Sequence, residues 1–151
     1  SSGGPGTTTV FSGNTIIAGG TATTSGPDIW NIDTFTSAGY NVVQQSSNYG
    51  SGTSNAPQTG DLIGQDPLLS SAGLANNGGP TQTIADTSSS PGKDHIPFSS
   101  GSCNGAPFTS IDQRIFTRGS GGTCDVGAYE LSGTQDTSPP VIEPGALKRK
   151  P

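Results

Sequence analysis

An all-β chain of short strands and many turns is the fold class this sequence predicts. Two features carry that expectation. Of 151 residues, 24 are Gly and 12 are Pro, a density of chain breakers that argues against long helices. In addition, Gly-Asn-Thr-Ile-Ile at 13–17 returns as Gly-Tyr-Asn-Val-Val at 39–43. It echoes again as Gly-Asp-Leu-Ile at 60–63, with Leu62 in the place of Val42. An apolar pair recurring every roughly 20–30 residues between polar turns is how the coils of a β-solenoid read. A β-sandwich can produce similar echoes.

The elements follow in order. Residues 1–9 are Ser, Gly, Pro and Thr with no apolar anchor and read as an extended lead-in, and Val10-Phe11 opens the first apolar segment. Short strands are expected at 14–18, at Ile29–Ile32 and at Phe35-Thr36, separated by turn chemistry at Gly19-Gly20 and Ser25-Gly26-Pro27-Asp28. Residues 44–59, nearly all small and polar, read as a loop. A strand is expected to stop at Pro67, because proline drives its predecessor into extended geometry. Asn77-Gly78-Gly79-Pro80 is a tight turn that needs positive φ. Apolar residues return at Ile111, Ile115-Phe116, Val126 and Tyr129. Four prolines in 131–151 disfavour a helix and favour a polyproline-like arm.

Composition narrows the function. Hydrophobic residues are 28 % and charged residues 11 %, against roughly 45–50 % and 25 % in ordinary domains. Disorder pairs low hydrophobicity with high charge, whereas here the polar mass is Ser, Thr, Asn and Gly. That suits loop-rich extracellular β proteins. The net charge is −5, which argues against nucleic acid as a partner. Three of the six cations are Lys148, Arg149 and Lys150, and taking them from −5 leaves −8 on residues 1–147. An acidic body with a basic tip permits head-to-tail attraction between copies; a solvated tail is the plainer alternative. No apolar run approaches the ~20 residues of a membrane span, so no membrane insertion is expected. No secretory leader is visible, and the start at Ser1 without any Met reads as a piece of a longer precursor.

Cys103 and Cys124 would close a loop over positions 104–123. An even count in a secreted-looking chain points to one disulfide, whose closure stabilises by roughly 3 kcal/mol. Two reduced thiols or a metal pair are the alternatives. One His and the lack of a nearby Cys pair argue against zinc.

Four blocks stand in a fixed order: Leu-Ala-Asn-Asn-Gly-Gly-Pro-Thr-Gln-Thr at 74–83, Ser-Pro-Gly-Lys-Asp at 90–94, Ile-Asp-Gln-Arg at 111–114, and Cys-Asp-Val-Gly-Ala-Tyr-Glu at 124–130. Together they resemble the C-terminal end of large secreted right-handed parallel β-helix proteins of bacteria, the choice-of-anchor Q proteins. The likeness runs from about Gly13 to Glu130 and includes Asp66-Pro67-Leu68-Leu69. It implies an all-β, short right-handed parallel β-helix of two to three coils at 13–73. An irregular, disulfide-containing β cap at 74–130 would cover the final coil. Extended arms flank them at 1–12 and 131–151. It also implies a bacterial, secreted location, outside the cell or on its surface.

Several residues invite a chemical reading. Asp112, Asp125 and Glu130 could form a carboxylate set for glycoside hydrolysis. The structural alternative ties Arg114 bidentately to Asp125 or Glu130, as an ion-pair cap of Asp112, Arg114, Asp125 and Glu130. The latter is favoured, because a buried Arg in a small cap needs partners and β-helix enzymes carry their acids on a flank mostly missing here. No catalytic residue is assigned and no enzyme is expected. Lys93, where the family carries an aliphatic residue, would either join a nearby Asp or Asn as an isopeptide or snorkel to solvent. His95 reads as an exposed loop residue. Trp30, Tyr40 and Tyr49 are candidate sugar-stacking residues, against packing on neighbouring coils. Calcium loops, phosphate loops and nucleophile motifs are missing, so neither metal nor cofactor is expected.

The function expected from these readings is an extracellular structural protein that self-associates head to tail into a surface fibre or filament. Its open coil ends and its arms would carry assembly, through Val10, Phe11, Val141, Ile142, Leu147, Lys148, Arg149 and Lys150. The alternative is the terminal fragment of a secreted adhesin or of a carbohydrate-binding or carbohydrate-active β-helix, with a cell-surface polysaccharide as partner.

Overall fold

A computed structural model describes residues 9–23, 27–29, 34–45, 57–104, 110–119 and 121–137. Among them the chain is all-β, with nine short strands and one 3₁₀ turn at Phe98–Ser100. No helix among the described residues is long and apolar enough to cross a membrane.

The first part of the chain is laid down in parallel layers. β1 (Thr9–Ser12) pairs parallel with β3 (Thr34–Ser37). β2 (Ile16–Ile17), β4 (Val42–Val43) and β5 (Leu62–Ile63) form a second parallel sheet with β4 in the middle. Its register sets Ile16 beside Val42 and Val42 beside Leu62. These pairings are the spacings at which the sequence repeats. Residues 9–12, expected in a terminal arm, instead form a strand of the first layer.

Strands of two residues are too short to hold a register by backbone bonds alone, so the corners matter. In the first two layers the chain turns between the two sheets at 13–15 and at 38–41; in the third it turns at 58–61, just before β5. Asn14, Tyr40 and Gly60 occupy equivalent places there and share positive φ of 54°, 55° and 74°. Backbone bonds stack one corner on the next, from Asn14 N to the Gly39 carbonyl and from Tyr40 N to the Thr59 carbonyl, each 3.1 Å. Gly60 must be glycine, because a Cβ there would lie 2.3 Å from the Tyr40 ring. Inside the corners, the buried Asn41 amide donates to Ser12 O, Ser37 Oγ and Asp61 Oδ1, and its oxygen accepts from Ser12 Oγ and Thr15 N. One side chain thus satisfies polar groups in all three layers, which removes the cost of burying them.

The β2–β4–β5 sheet has an apolar cluster on each face. Ile17, Val43 and Ile63 pack with Ile29 and Phe35 between the two sheets. Ile16, Val42 and Leu62 face the other way, onto Ile96, Val126 and the two cysteines. The middle strand is sealed on both sides, and Val42 and Val43 are 0 % exposed.

That second cluster locates the described residues between 74 and 137. They hold two antiparallel pairs, β6 (Leu74–Ala75) with β7 (Thr83–Ile84) and β8 (Ile96–Pro97) with β9 (Thr123–Cys124). The segment reaches the first layer through Gly127 N to Asn14 O, the second where Gly92 lies against Val42, and the third where His95 Nε2 meets Gly60 O at 2.7 Å. It therefore lies along one flank of the layered sheet, rather than only over the last layer as a terminal cap does. The disulfide between Cys103 and Cys124 is formed and sits in this shared cluster. Positive φ occurs at Gly78, as the turn at 77–80 requires. No strand forms at 66–67; Pro67 is buried, and Leu68 adopts positive φ.

Candidate functional site

Five charged side chains converge in the flanking unit, and a sixth lies beside them. A turn brings Arg114 back on Asp112: Asp112 Oδ1 accepts from Arg114 N and Phe116 N, closing a tight Asx-type turn. Arg114 Nε and Nη2 then both donate to Asp112 Oδ2, at 2.9 and 2.6 Å. The same oxygen accepts from Glu130 N. Nη2 also donates to the Glu130 carbonyl, and Nη1 to that of Asn77. The guanidinium lies between two rings, with its carbon 4.1 Å from the Phe116 centroid and 3.6 Å from that of Tyr129. A carboxylate, carbonyls and π faces thus replace water around the buried guanidinium. Gly79 completes the packing, since a Cβ there would lie 2.6 Å from Arg114 Cα.

The partner of Arg114 is thus Asp112, not Asp125 or Glu130. Those two acids serve the backbone. Asp125 accepts from Asp94 N and Leu131 N, both at 2.6 Å. Glu130 accepts from Asp125 N at 2.9 Å and from Gly119 N. Its cationic partner is Arg118, whose Nη1 lies 3.4 Å from Oε2. Arg118 also donates to the Asp125 and Gly127 carbonyls. Sequence reasoning missed Arg118. The available signal was scarcity, for only Lys93, Arg114 and Arg118 are basic before the tail, and buried acids nearby need such partners. Burial raises the Glu130 pKa above its usual range, and the neighbouring Asp125 charge adds to it.

Asp86 is the second residue sequence reasoning passed over, since it precedes a run of serines that looks like solvated loop. It is 4 % exposed, and its Oδ2 has no hydrogen-bond partner. Burial, reinforced by the negative charges of Asp125 and Glu130, pushes its pKa up to about 7; Arg118 and Arg114 pull the other way. Asp86 lines a half-open cleft of about 610 Å³ between the first layer and the flanking unit. Ile16, Leu69, Leu74, Ile84 and Tyr129 form its apolar walls, and Asn14, Gln82 and Gln113 bring amides to it.

The remaining candidates are placed as follows. Tyr40 is no open platform, because its ring covers Gly60 and meets His95 edge-on at 6.1 Å. Trp30 and Tyr49 lie outside the described residues. His95 is half-buried and joins two parts of the molecule, in contrast to the exposed loop residue expected. Lys93 pairs with its neighbour Asp94 at the surface, as a snorkelling lysine does. Val10 and Phe11 are in β1, exposed by 45 % and 72 %. Val141, Ile142, Leu147, Lys148, Arg149 and Lys150 lie outside the described residues. Among the described residues, no group of three or more His, Cys, Asp or Glu is arranged to hold a metal ion.

No family model, curated protein or solved structure matches the chain.

Proposed function

We propose that this chain is an extracellular structural protein whose stacked layers are turns of a short right-handed parallel β-helix, and that copies associate end to end into a filament or surface fibre. The observation that carries this reading is the outer edge of the first layer. Val42 N and Gln44 N donate to the carbonyls of Thr15 and Ile17, so the peptide groups of Ile16 point the other way, off the sheet. Ala38 N donates to Ser12 O, which by the same alternation turns the peptide groups of Phe11 outward. β1 and β2 are both edge strands of parallel sheets, and Phe11 and Val10 stand exposed beside them. Parallel sheets are normally covered, and an open apolar edge is a template for another strand. A second copy whose β5 edge meets β2 would continue the three-stranded sheet by heterologous contact, which does not close on itself.

Further support comes from the corners, which repeat in all three layers and would repeat across such a junction. The ordered blocks resembling choice-of-anchor Q proteins also point to a β-helix end. A disulfide in the core suits an oxidising compartment. The adhesin or carbohydrate-active alternative draws less support, since Tyr40 is packed and the carboxylates of Asp112, Asp125 and Glu130 are occupied by backbone amides and guanidinium groups.

The test is electron microscopy and sedimentation of the full chain at neutral pH, non-reducing, beside two variants. Phe11→Lys places a charge on the edge, and Phe11→Pro removes an outward N–H at an exposed position while sparing the bonds to β3. Filaments from the parent chain, lost in both variants with the disulfide and thermal transition retained, are expected. Monomers throughout, or filaments indifferent to both changes, overturn the reading.

A further inference from the structure

The cleft beside Asp86 asks for an occupant of particular chemistry. Its exposed rim is apolar: Leu74 and Ile84 are directly paired across β6 and β7 and remain 64 % and 39 % exposed. Large apolar side chains opposite one another at a cleft mouth are a binding feature more often than a neutral one. Deeper in the cleft lining is a carboxyl that has lost its water and gained no partner for Oδ2. Such a group is costly to leave as it is, and a cation is the partner that gains most from it. A ligand for this cleft therefore joins an aliphatic group to a positive charge.

Apart from the Arg114–Arg118 stretch, whose cations are already engaged, the chain carries that combination at Ala146-Leu147-Lys148-Arg149-Lys150. The rest of the molecule is the complementary partner, at −8 for residues 1–147. We propose that the Asp86 cleft is the docking site for the basic C-terminal segment of a second copy, with Leu147 against Leu74 and Ile84 and a Lys or Arg on the Asp86 carboxylate. This rests on the self-association reading above and names a second contact within it. Pro139, Pro140 and Pro144 precede the basic cluster, and proline-rich segments act as extended spacers of about 3.1 Å per residue. That favours reaching another copy over folding back.

The pairing has a linkage consequence. The groups acting on Asp86 are Asp125, Glu130, Arg118 and Arg114, all engaged with one another or with backbone. Near neutral pH Asp86 holds a proton part of the time, and docking a cation expels it. Affinity should rise with pH through about 7 and then level. A neutral sugar in the same cleft would not show this dependence.

The experiment titrates a labelled peptide of residues 139–151 into the full chain, at pH 6 and pH 8 in low salt. Saturable binding several-fold tighter at pH 8 is expected. Asp86→Asn should weaken it at least tenfold at pH 8 and flatten the pH dependence. Ile84→Ser, on an exposed rim position, should weaken it at any pH. A peptide with Gln at 148–150 should not bind. Thermal transitions check that both variants fold. No saturable binding, or binding indifferent to Asp86→Asn and Ile84→Ser, overturns the proposal and places any residual attraction on the general acidic surface. Because the readout is peptide binding, it fails or succeeds separately from filament formation and from the Phe11→Lys test.

Discussion

The layered sheets and the unit along their flank solve the same problem in opposite ways. Both are made of strands only two to four residues long, too short to be stable by themselves. The layers compensate by repetition: Ile16, Val42 and Leu62 stack in one row, Ile17, Val43 and Ile63 in another, and the corners stack between them. The flank compensates with side chains that never repeat. Asp112, Asp125 and Glu130 take over the role of a sheet partner by accepting from seven backbone N–H groups among them. Repetition spreads stability over many small contacts, whereas the flank concentrates it in a few bonds whose loss leaves buried charge behind.

The largest break should come from Arg114. Arg114→Met strands the Asp112 carboxylate among backbone donors and should cost about 3–5 kcal/mol, measured by denaturant unfolding. Arg114→Lys should restore little, because an ammonium reproduces neither the two-pronged contact nor the stacking between Phe116 and Tyr129. Opening the disulfide comes next. Cys103→Ser with Cys124→Ser should cost roughly 3 kcal/mol, and the thermal transition of the parent chain should fall on reduction while that of the double variant does not move.

Asp86 sharpens the contrast through pH. Its pKa is raised from 3.8 to about 7 in the folded state, so the native form holds a proton that the unfolded form has released. The stability this proton represents is complete below the unfolded value and is lost as pH climbs through the folded one. Asp86→Asn should therefore be more stable than the parent at pH 8, by up to about 4 kcal/mol, and about equal at pH 4. Thermal melts across that range give the slope directly. Glu130 shifts in the same direction and leaves a smaller residual slope in the variant.

A finer division of the molecule comes from the middle strand. Val42→Ala and Val43→Ala remove similar side chains from sites equally closed to water, and each should cost about 2 kcal/mol. Hydrogen exchange should separate them: the first loosens amides at 92–97 and 124–127, the second those of β1 and β3. The smallest effect expected is His95→Ala, about 1 kcal/mol from the bond to Gly60 O, with faster exchange confined to 58–62 and 93–97.

The layers were largely legible in the order of residues. The spacings from Ile16 to Val42 and from Val42 to Leu62 are the registers of β2 with β4 and of β4 with β5, because each layer must present its apolar pair at the same height. The extent of the first layer was less legible, since Thr9–Ser12 lacks the Gly-led motif that marks the others. In the flank, the acids and Arg114 were recognisable as a group, but their pairing was not. Asp112 was too near in sequence to look like the partner, yet a tight turn brings its carboxylate back onto the guanidinium. Arg118 and Asp86 drew no attention, because burial is what gives each its meaning and nothing local announces it.

By itself the sequence determined the strand-and-turn character, the disulfide pair and the period of the layers. These depend on local geometry, residue count and side-chain alternation, all written along one dimension. Tertiary structure alone decided that residues 74–137 lie along a flank, that Arg118 answers Glu130, and that Asp86 is left with an unpaired oxygen beside an open cleft. Each depends on which distant groups are excluded from water together. That is a property of three-dimensional packing, and no spacing within the chain encodes it.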